Sequence, residues 1–305
     1  MPETGNKLLS SELSGFIPAS VANEIIGIVT RGSAVMKLGK AVDMQGKPKK
    51  KVPVLVSGPG AYWVGESARI QTSKAQWIFP ELEAKKLAVI VPMTKEALND
   101  PTIDAFNGMK PHIAESFAVA FDKAALWGTS SPYTAGSSIF EKLVAAGNTF
   151  ENQSVEGQDM GGDISDVMSL AEADGYDVDG FVGAIGIKNS LRKLRNKDGD
   201  PIFSDMKSDT PAQVYGQPLA YCRNGAWDNT KALMLAGSWD YVLIGVLQGI
   251  EYEILKEATL FTVTMADDKP LSLAENDMVA LKATMRIGFL AVKDSAFAAL
   301  KPKAI

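Results

Sequence analysis

Residues 85–132, KKLAVIVPMTKEALNDPTIDAFNGMKPHIAESFAVAFDKAALWGTSSP, read as a buried strand feeding a long helix. The apolar, β-branched run 87–91 suits a strand with both faces covered, and Pro92 limits how far its ladder continues. The strand ends near Met93. Residues 94–99 make one helical turn, and Asp100-Pro101 breaks it, because a residue before proline is pushed out of the α region. A new helix starts just after. Phe106, Met109, Ile113, Phe117, Ala120, Phe121 and Ala124 recur at helical spacing, with Asp104, Glu115 and Asp122 on the opposite side. About six turns span on the order of 35 Å, with a kink or a separate first turn at Gly108 and Pro111 and a stop at Gly128. Val119 and Leu126 form a second, narrower apolar strip, so the helix touches two layers or a second subunit.

Outward from this helix, residues 1 to about 30 form an arm followed by a small amphipathic helix: residues 14–18 are extended, and Val21, Ile25, Ile28 and Val29 mark a short apolar face. Such an arm orders only when something covers it. Residues 35–44 alternate as a strand. A two-stranded ribbon follows, residues 52–56 going out and 77–86 returning, with about twenty Gly-, Pro-, Ser- and polar-rich residues between them. An isolated hairpin is marginal in water, so this one needs support from outside the subunit. The cluster Lys47, Lys49, Lys50 and Lys51 is a solvated strand end, a partner for acidic surface on a neighbour, or a nucleic-acid contact. Beyond Pro132 a Gly/Ser/Asn/Gln-rich stretch marks a boundary. A helix from Asp163 to Ala173, a strand over 181–185, a basic helix over 187–196 and strands over 219–222 and 233–235 build an α/β module. Strands over 241–246 and 252–255 lead back. Residues 278–292 carry the cleanest period of two, with Val279, Leu281, Ala283, Met285, Ile287, Phe289 and Ala291 on one face and Lys282, Thr284 and Arg286 on the other.

Composition bounds the function. The chain has 305 residues, 46% of them apolar and 22% charged, with a net charge of −5. That is a soluble globular balance with no membrane span, no signal-peptide pattern, and little suited to gripping phosphates as a main task. One cysteine, Cys222, excludes an internal disulfide and reads as a small buried side chain; the single histidine, His112, excludes paired-histidine metal motifs and reads as a surface or capping residue. Gly183-Ala184-Ile185-Gly186 lacks the third glycine and acidic partner of a dinucleotide loop, and Asp198-Gly199-Asp200 and Asp267-Asp268 are turn pairs without the other ligands of a calcium site. No nucleophile, base and electrophile come together, so no catalytic, cofactor or metal residues are assigned.

Five runs appear in a telling order: Ala61-Tyr62-Trp63-Val64-Gly65-Glu66, then residues 83–89, 94–100, 121–128 and 286–292. Together they resemble the Hong Kong 97-type major capsid family of tailed phages, over about residues 14–301. The resemblance implies an α+β fold with an N-terminal arm (1–33), an extended loop (46–80) lying on a neighbouring subunit, a peripheral domain (34–45, 81–135 and 251–305) built on the long spine helix, and an axial α/β domain (136–250). It implies no enzyme and no cofactor, but a structural protein of the virion, assembled in the host cytoplasm through pentamers and hexamers into an icosahedral head around double-stranded DNA. Its partners are further copies of itself, a scaffolding protein and portal, DNA by weak non-specific contact, and in some members a decoration protein; membrane is not among them. Many members carry a cleaved scaffolding region ahead of the arm; this sequence begins without one, so the expectation is either a processed or trimmed form or a separate scaffolding protein. The subunit-contact candidates are Lys49, Lys51, Tyr62, Trp63, Glu66 and Trp77. An encapsulin-type shell enclosing an enzyme and an ordinary α/β enzyme are the alternatives, separated from a phage head by neighbouring genes and by particle size.

Some members of the resembled family join a loop lysine to a neighbour's asparagine, helped by a glutamate seven residues later on the late strand. Aligned on Arg286, Thr284 stands in place of the glutamate and Asp277 in place of the asparagine, with Asn276 one residue off; Lys49, Lys51 and Lys74 are the candidate lysines. Without the base, and with an ionised carboxylate that resists amine attack, the shell is expected to be held by noncovalent contacts.

Overall fold

We describe a computed structural model of the chain over residues 32–67, 69–95, 105–152, 160–194, 212–222, 225–264 and 270–303. The arm before Gly32 with its short apolar helix, the turn at 96–101, Asp104, Asp198, Asp200, Asp267 and Asp268 lie outside the described residues.

Two sheets share one core. Strands β1 (Lys40–Asp43), β2 (Lys49–Lys51), β5 (Glu81–Thr94), β11 (Val242–Leu255) and β14 (Met278–Ala291) make a five-stranded sheet in the order β1-β11-β14-β5-β2. Between β2 and β5 the chain runs out through β3 (Val54–Ser57) and back through β4 (Gln76–Ile78). Strands β6 (Thr149–Glu151), β7 (Gly180–Ala184), β8 (Ala212–Val214), β9 (Gln217–Cys222), β10 (Met234–Gly237) and β15 (Phe297–Lys301) make a six-stranded sheet in the order β6-β15-β10-β7-β9-β8. A small hairpin, β12 (Thr259–Thr264) with β13 (Pro270–Ser272), extends from the first sheet. Sheet membership switches at Trp239–Tyr241, a 3-10 turn, and the C-terminal strand returns to the six-stranded sheet, where Met234 to Gly237 pair with Leu300 to Phe297. The reason is the fully buried Trp239, whose indole donates to the Gly180 carbonyl at 3.0 Å and packs edge-on against Phe297 at 5.5 Å.

The spine is α2 (Ala105–Trp127), one helix that continues through Pro111 in its second turn and stops at Gly128, whose φ is +70°. Ile113, Phe117, Phe121 and Ala124 bury the predicted stripe, and β14 meets it with Leu281, Met285 and Phe289, Phe121 lying edge-on to Phe289. The period-two reading of β14 holds at every position: all seven residues of the predicted inner face are buried. Leu126 is fully buried and Val119 packs on the same core, which reaches Val182, Ala220 and Leu235 of the other sheet. The second strip thus serves the second layer. A separate cluster covers the far face of the six-stranded sheet, formed by α4 (Met160–Ala173) and α5 (Ile187–Lys193) through Ile164, Val167, Ile187 and Leu191. The remaining helix, α3 (Ile139–Ala146), is set by a Ser138/Glu141 capping box and ends at left-handed Gly147.

Three readings are corrected. Residues 35–44 are not one strand: α1 (Ala34–Leu38) precedes β1, because Ser33 caps it, accepting from Met36 N–H at 3.0 Å. The strand at 87–91 is not covered on both faces, since Ala88 and Ile90 are exposed in alternation with half-buried Leu87, Val89 and Val91. Asp122 is not on an exposed side. It is 2% exposed, and its carboxylate accepts from Ser33 Oγ at 2.5 Å, Ala34 N–H at 3.0 Å and Val35 N–H at 3.4 Å, with the Cys222 thiol at 3.7 Å. A spine carboxylate thereby takes up the free donors at the start of α1 and fixes the residue where the arm ends.

Two consequences are measurable. Asp122→Ala strips the acceptor from the Ser33 hydroxyl, the Ala34 and Val35 N–H groups and the Cys222 thiol, and at about 1–3 kcal/mol for each buried unsatisfied group it should cost at least roughly 3 kcal/mol of subunit stability in denaturant unfolding. Burial pushes the Asp122 carboxyl up to about 6, against the pull of the hydrogen bonds from Ser33, Ala34, Val35 and Cys222. Its folded value lies above the ordinary value of 3.8, so folding takes up a proton between those limits. Stability from this group is therefore present at low pH and lost as pH rises through about 6. Unassembled wild type should gain stability over Asp122→Asn as pH falls from 7 toward 4.5, and a pH-independent gap would contradict the assignment.

Candidate intersubunit surfaces

The ribbon is placed by a crossover that two glycines allow. β1 and β2 sit on opposite edges of the five-stranded sheet, so the few residues between them must pass across its face. They do so where Gly245 pairs with Gly288: a Cβ at Gly245 would lie 2.4 Å from the Met44 sulfur, and one at Gly288 would lie 3.0 Å from the Glu83 carbonyl oxygen. Met44 and Leu82 are buried over this gap. From there β2 pairs with the start of β5, Val52 N–H donates to the Pro80 carbonyl at 3.0 Å, and the chain projects beyond its own core as β3 and β4.

Every described residue from Gly58 to Phe79 is exposed. Among the described residues, nine of the fifteen exposed large apolar side chains fall in this ribbon, including Leu55, Tyr62, Trp63, Ile70, Trp77 and Phe79, with Trp63 as open as in an extended peptide at 105%. An apolar surface so concentrated marks an interaction site. The loop is held by the Gly60 N–H donating to Ser73 Oγ at 2.6 Å and by the β3–β4 pairing, Leu55 opposite Trp77. Tyr62, Trp63 and Trp77 therefore stand on one projecting element, with exposed Glu66 beside them.

The lysines divide. Lys51 is exposed at the ribbon root. Lys49, expected to face a neighbour, is engaged by its own chain: its ammonium lies 3.4 Å from Glu81 and 3.6 Å from Glu83 on the paired strand, and these carboxylates, Glu81 first, raise its pKa. Cross-strand register explains this, since Lys49 pairs directly with Glu83. Lys50 likewise donates to the Asp43 carbonyl at 2.6 Å. The pairing carboxylates sit only on the return strand, a signal present in the sequence as E81-L-E83 once the register is known.

Elsewhere no reaction centre forms among the described residues. No group of three or more His, Cys, Asp or Glu side chains gathers to hold a metal. Cys222 is buried, and burial first, then Asp122, holds its thiol far above the usual range. His112 lies on the exposed side of α2 in a shallow groove with Glu115, Ser116, Val119 and Lys123. No helix among the described residues is long and apolar enough to cross a membrane.

This architecture matches known proteins along nearly its whole length. The family model described as "Phage capsid family" matches residues 14–301. The chain belongs to the phage capsid family. It is 33% identical over 297 residues to the protein named "Major capsid protein" of Staphylococcus phage 80alpha, covering 97% of this chain and 88% of that one. A solved chain from Microbacterium phage Oxtober96 superposes with a TM-score of 0.75 at 30% identity, covering 89% of this chain and 91% of that one. One from Mycobacterium phage Cain gives 0.76 at 27%, covering 90% and 91%. The fold is the α+β capsid fold of the Hong Kong 97 type.

Thr284 and Asp277 stand at the positions that the resemblance, aligned on Arg286, implies for covalent linkage. Thr284 pairs with Ala88 on one side and Glu251 on the other, and Asp277, in a left-handed turn at φ +49°, forms an ion pair with Lys95. Glu251, paired with Thr284 on the neighbouring strand, is the carboxylate nearest in register, and it is exposed. Particles boiled in detergent should therefore run as one band near 32.6 kDa, whereas ladders of linked pentamers and hexamers would contradict this.

Proposed function

We propose that this chain is the major capsid protein of a tailed phage, assembling through pentamers and hexamers into an icosahedral head that encloses double-stranded DNA. The observation that carries the reading is the ribbon: residues 54–79 bring their apolar side chains away from the subunit core, onto a surface that a second copy would cover. Family membership supplies the class of assembly. In this reading the five-stranded sheet with α2 is the peripheral domain, the six-stranded sheet with α4 and α5 is the axial domain gathered at fivefold and sixfold axes, and the ribbon is the extended loop lying on a neighbour. Tyr62, Trp63 and Trp77 are its apolar anchors, with Lys51 and Glu66 as polar contacts at its rim. The protein is structural and not an enzyme, is located in the virion after assembly in the host cytoplasm, and works with a scaffolding protein and a portal. DNA is met by weak, non-specific contact, in keeping with the net charge of −5. A decoration protein on the outer surface is compatible with this arrangement.

Negative-stain microscopy of the expressed chain, alone and with its scaffolding protein, tests the proposal. Closed shells or rings of five and six are expected. A preparation containing only small oligomers in both conditions would overturn it.

A further inference from the structure

The segment that joins α2 to β1 is a short strap. Ser33 caps α1, α1 turns into β1 at Gly39, whose N–H donates to the Val35 carbonyl at 2.8 Å, and β1 pairs with β11. The strap is thinly held: α1 buries only Ala34 and Val35, and Lys40, Ala41 and Asp43 of β1 are exposed. Segments with so few buried apolar contacts open ahead of the rest of a structure. One side chain closes α1 onto the spine. Asp122 Oδ1 accepts from Ser33 Oγ and Val35 N–H, while Oδ2 accepts from Ala34 N–H and faces the Cys222 thiol. Among the described residues no cation pairs with this carboxylate. Of the elements around it, α1 carries Lys37, which is exposed, and α2 carries Lys123 at the next position; β7 has no ionisable side chain, and β9 brings Cys222 and, in the cluster on its other face, Tyr221. The Cys222 thiol, held far above its usual range by burial first and then Asp122, stays a neutral donor.

We propose that Asp122 is the catch of a pH-sensitive latch: α1 stays on the spine while the carboxyl carries its proton, and swings out about Gly39 as the carboxyl ionises. The released proton goes to water. Ser33 Oγ can accept from the protonated carboxyl as well as donate to the ionised one, so the 2.5 Å contact fits the closed latch. An ionised Asp122 at 2% exposure has lost its water and has only neutral donors in return. Desolvation outweighs those donors, and the carboxyl is pushed up to about 6 while α1 is in place. With α1 swung away it meets water and returns toward its ordinary value of 3.8. Opening therefore releases a proton: its equilibrium constant rises about tenfold per pH unit between those two values and levels off above the higher one. A hinge needs only a few residues at the end of an element, and β1 keeps its pairing with β11. The swing frees Gly32, which in the closed latch lies against Ala118 of α2. The latch belongs to the free subunit and does not depend on the capsid reading.

Hydrogen exchange on the full-length free subunit, corrected for the intrinsic pH dependence of amide exchange, tests this. The Ala34 and Val35 amides should be less protected than those of β14 and insensitive to low denaturant, as a local opening is. Between pH 5 and pH 7 they should lose about tenfold in protection. Asp122→Asn, which cannot ionise, should show the same protection at both pH values. Ser33→Ala removes a donor that draws the carboxyl down, so the pH at which protection levels off should move above that of wild type. This second variant decides the matter if Asp122→Asn does not fold. Exchange of Ala34 and Val35 only through global unfolding, at the rate and denaturant dependence of β14, would overturn the latch. Equal protection at pH 5 and pH 7 in wild type, an unchanged pH dependence in Asp122→Asn, or an unmoved levelling point in Ser33→Ala would overturn Asp122 as its catch.

Discussion

Replacing residues 53–79 with an Asn-Gly turn leaves a subunit that unfolds at the wild-type temperature and forms no particles. Lys51 and Glu81 are already paired across the root, and the Val52 N–H to Pro80 bond closes it, so a two-residue turn of the type that matches strand twist can join them. Nothing in the two main core clusters comes from residues 53–79, so their removal takes no buried apolar area from the core. What is lost is the apolar surface of Tyr62, Trp63, Ile70 and Trp77, available only to another molecule. A melting temperature lowered by many degrees would mean the ribbon supports its own subunit; particles of normal size would mean the ribbon is not an adhesive element. Calorimetry on the free subunit and sedimentation of the assembly reaction read the two effects separately.

The opposite pattern is expected on the spine. Phe117 is 3% exposed and faces the core shared by both sheets, so Phe117→Asp abolishes the folded subunit. Losing the ring costs about 3–5 kcal/mol, and a carboxylate left in that layer without a partner adds several more. Against a total stability of about 5–15 kcal/mol, the sum unfolds the chain. Asp122, five residues on, is no precedent, because its carboxylate is surrounded by donors from Ser33, Ala34 and Val35. Loss of the cooperative transition in circular dichroism checks the outcome, and a soluble, assembly-competent Phe117→Asp protein would contradict the packing of α2.

Comparison of these two sites shows which parts of the molecule local sequence could reveal. Periodicity identified β14 and α2 because each buries one continuous face, and the ribbon was visible as apolar residues in a Gly- and Pro-rich stretch that no local element could cover. Asp122 was misread for a physical reason: on a helix wheel a carboxylate next to the stripe looks solvated, and the donors that satisfy it lie 87 to 89 residues away. The same distance hid α1, whose residues join the alternating pattern of 35–44 until the Ser33 cap and the Asp122 carboxylate are supplied. The Gly245–Gly288 pair carries no signal in one sequence, since its role exists only when Met44 crosses the sheet above it. Membership of β15 in the six-stranded sheet is likewise a matter of long-range pairing. Among the ribbon residues, the side chains that would adhere were legible by type, whereas the division between Lys49 and Lys51 depended on register.

Hydrogen exchange of the ribbon amides, compared between free subunits and assembled particles, tests the central claim most directly. In the free subunit residues 58–75, with few backbone bonds and exposed side chains, should exchange at close to unprotected rates. In particles the same amides around Tyr62, Trp63 and Ile70 should slow by at least two orders of magnitude, while those of β14 stay protected in both states. Particles in which the ribbon exchanges as fast as it does in free subunits would show that assembly proceeds without it, and would contradict the account.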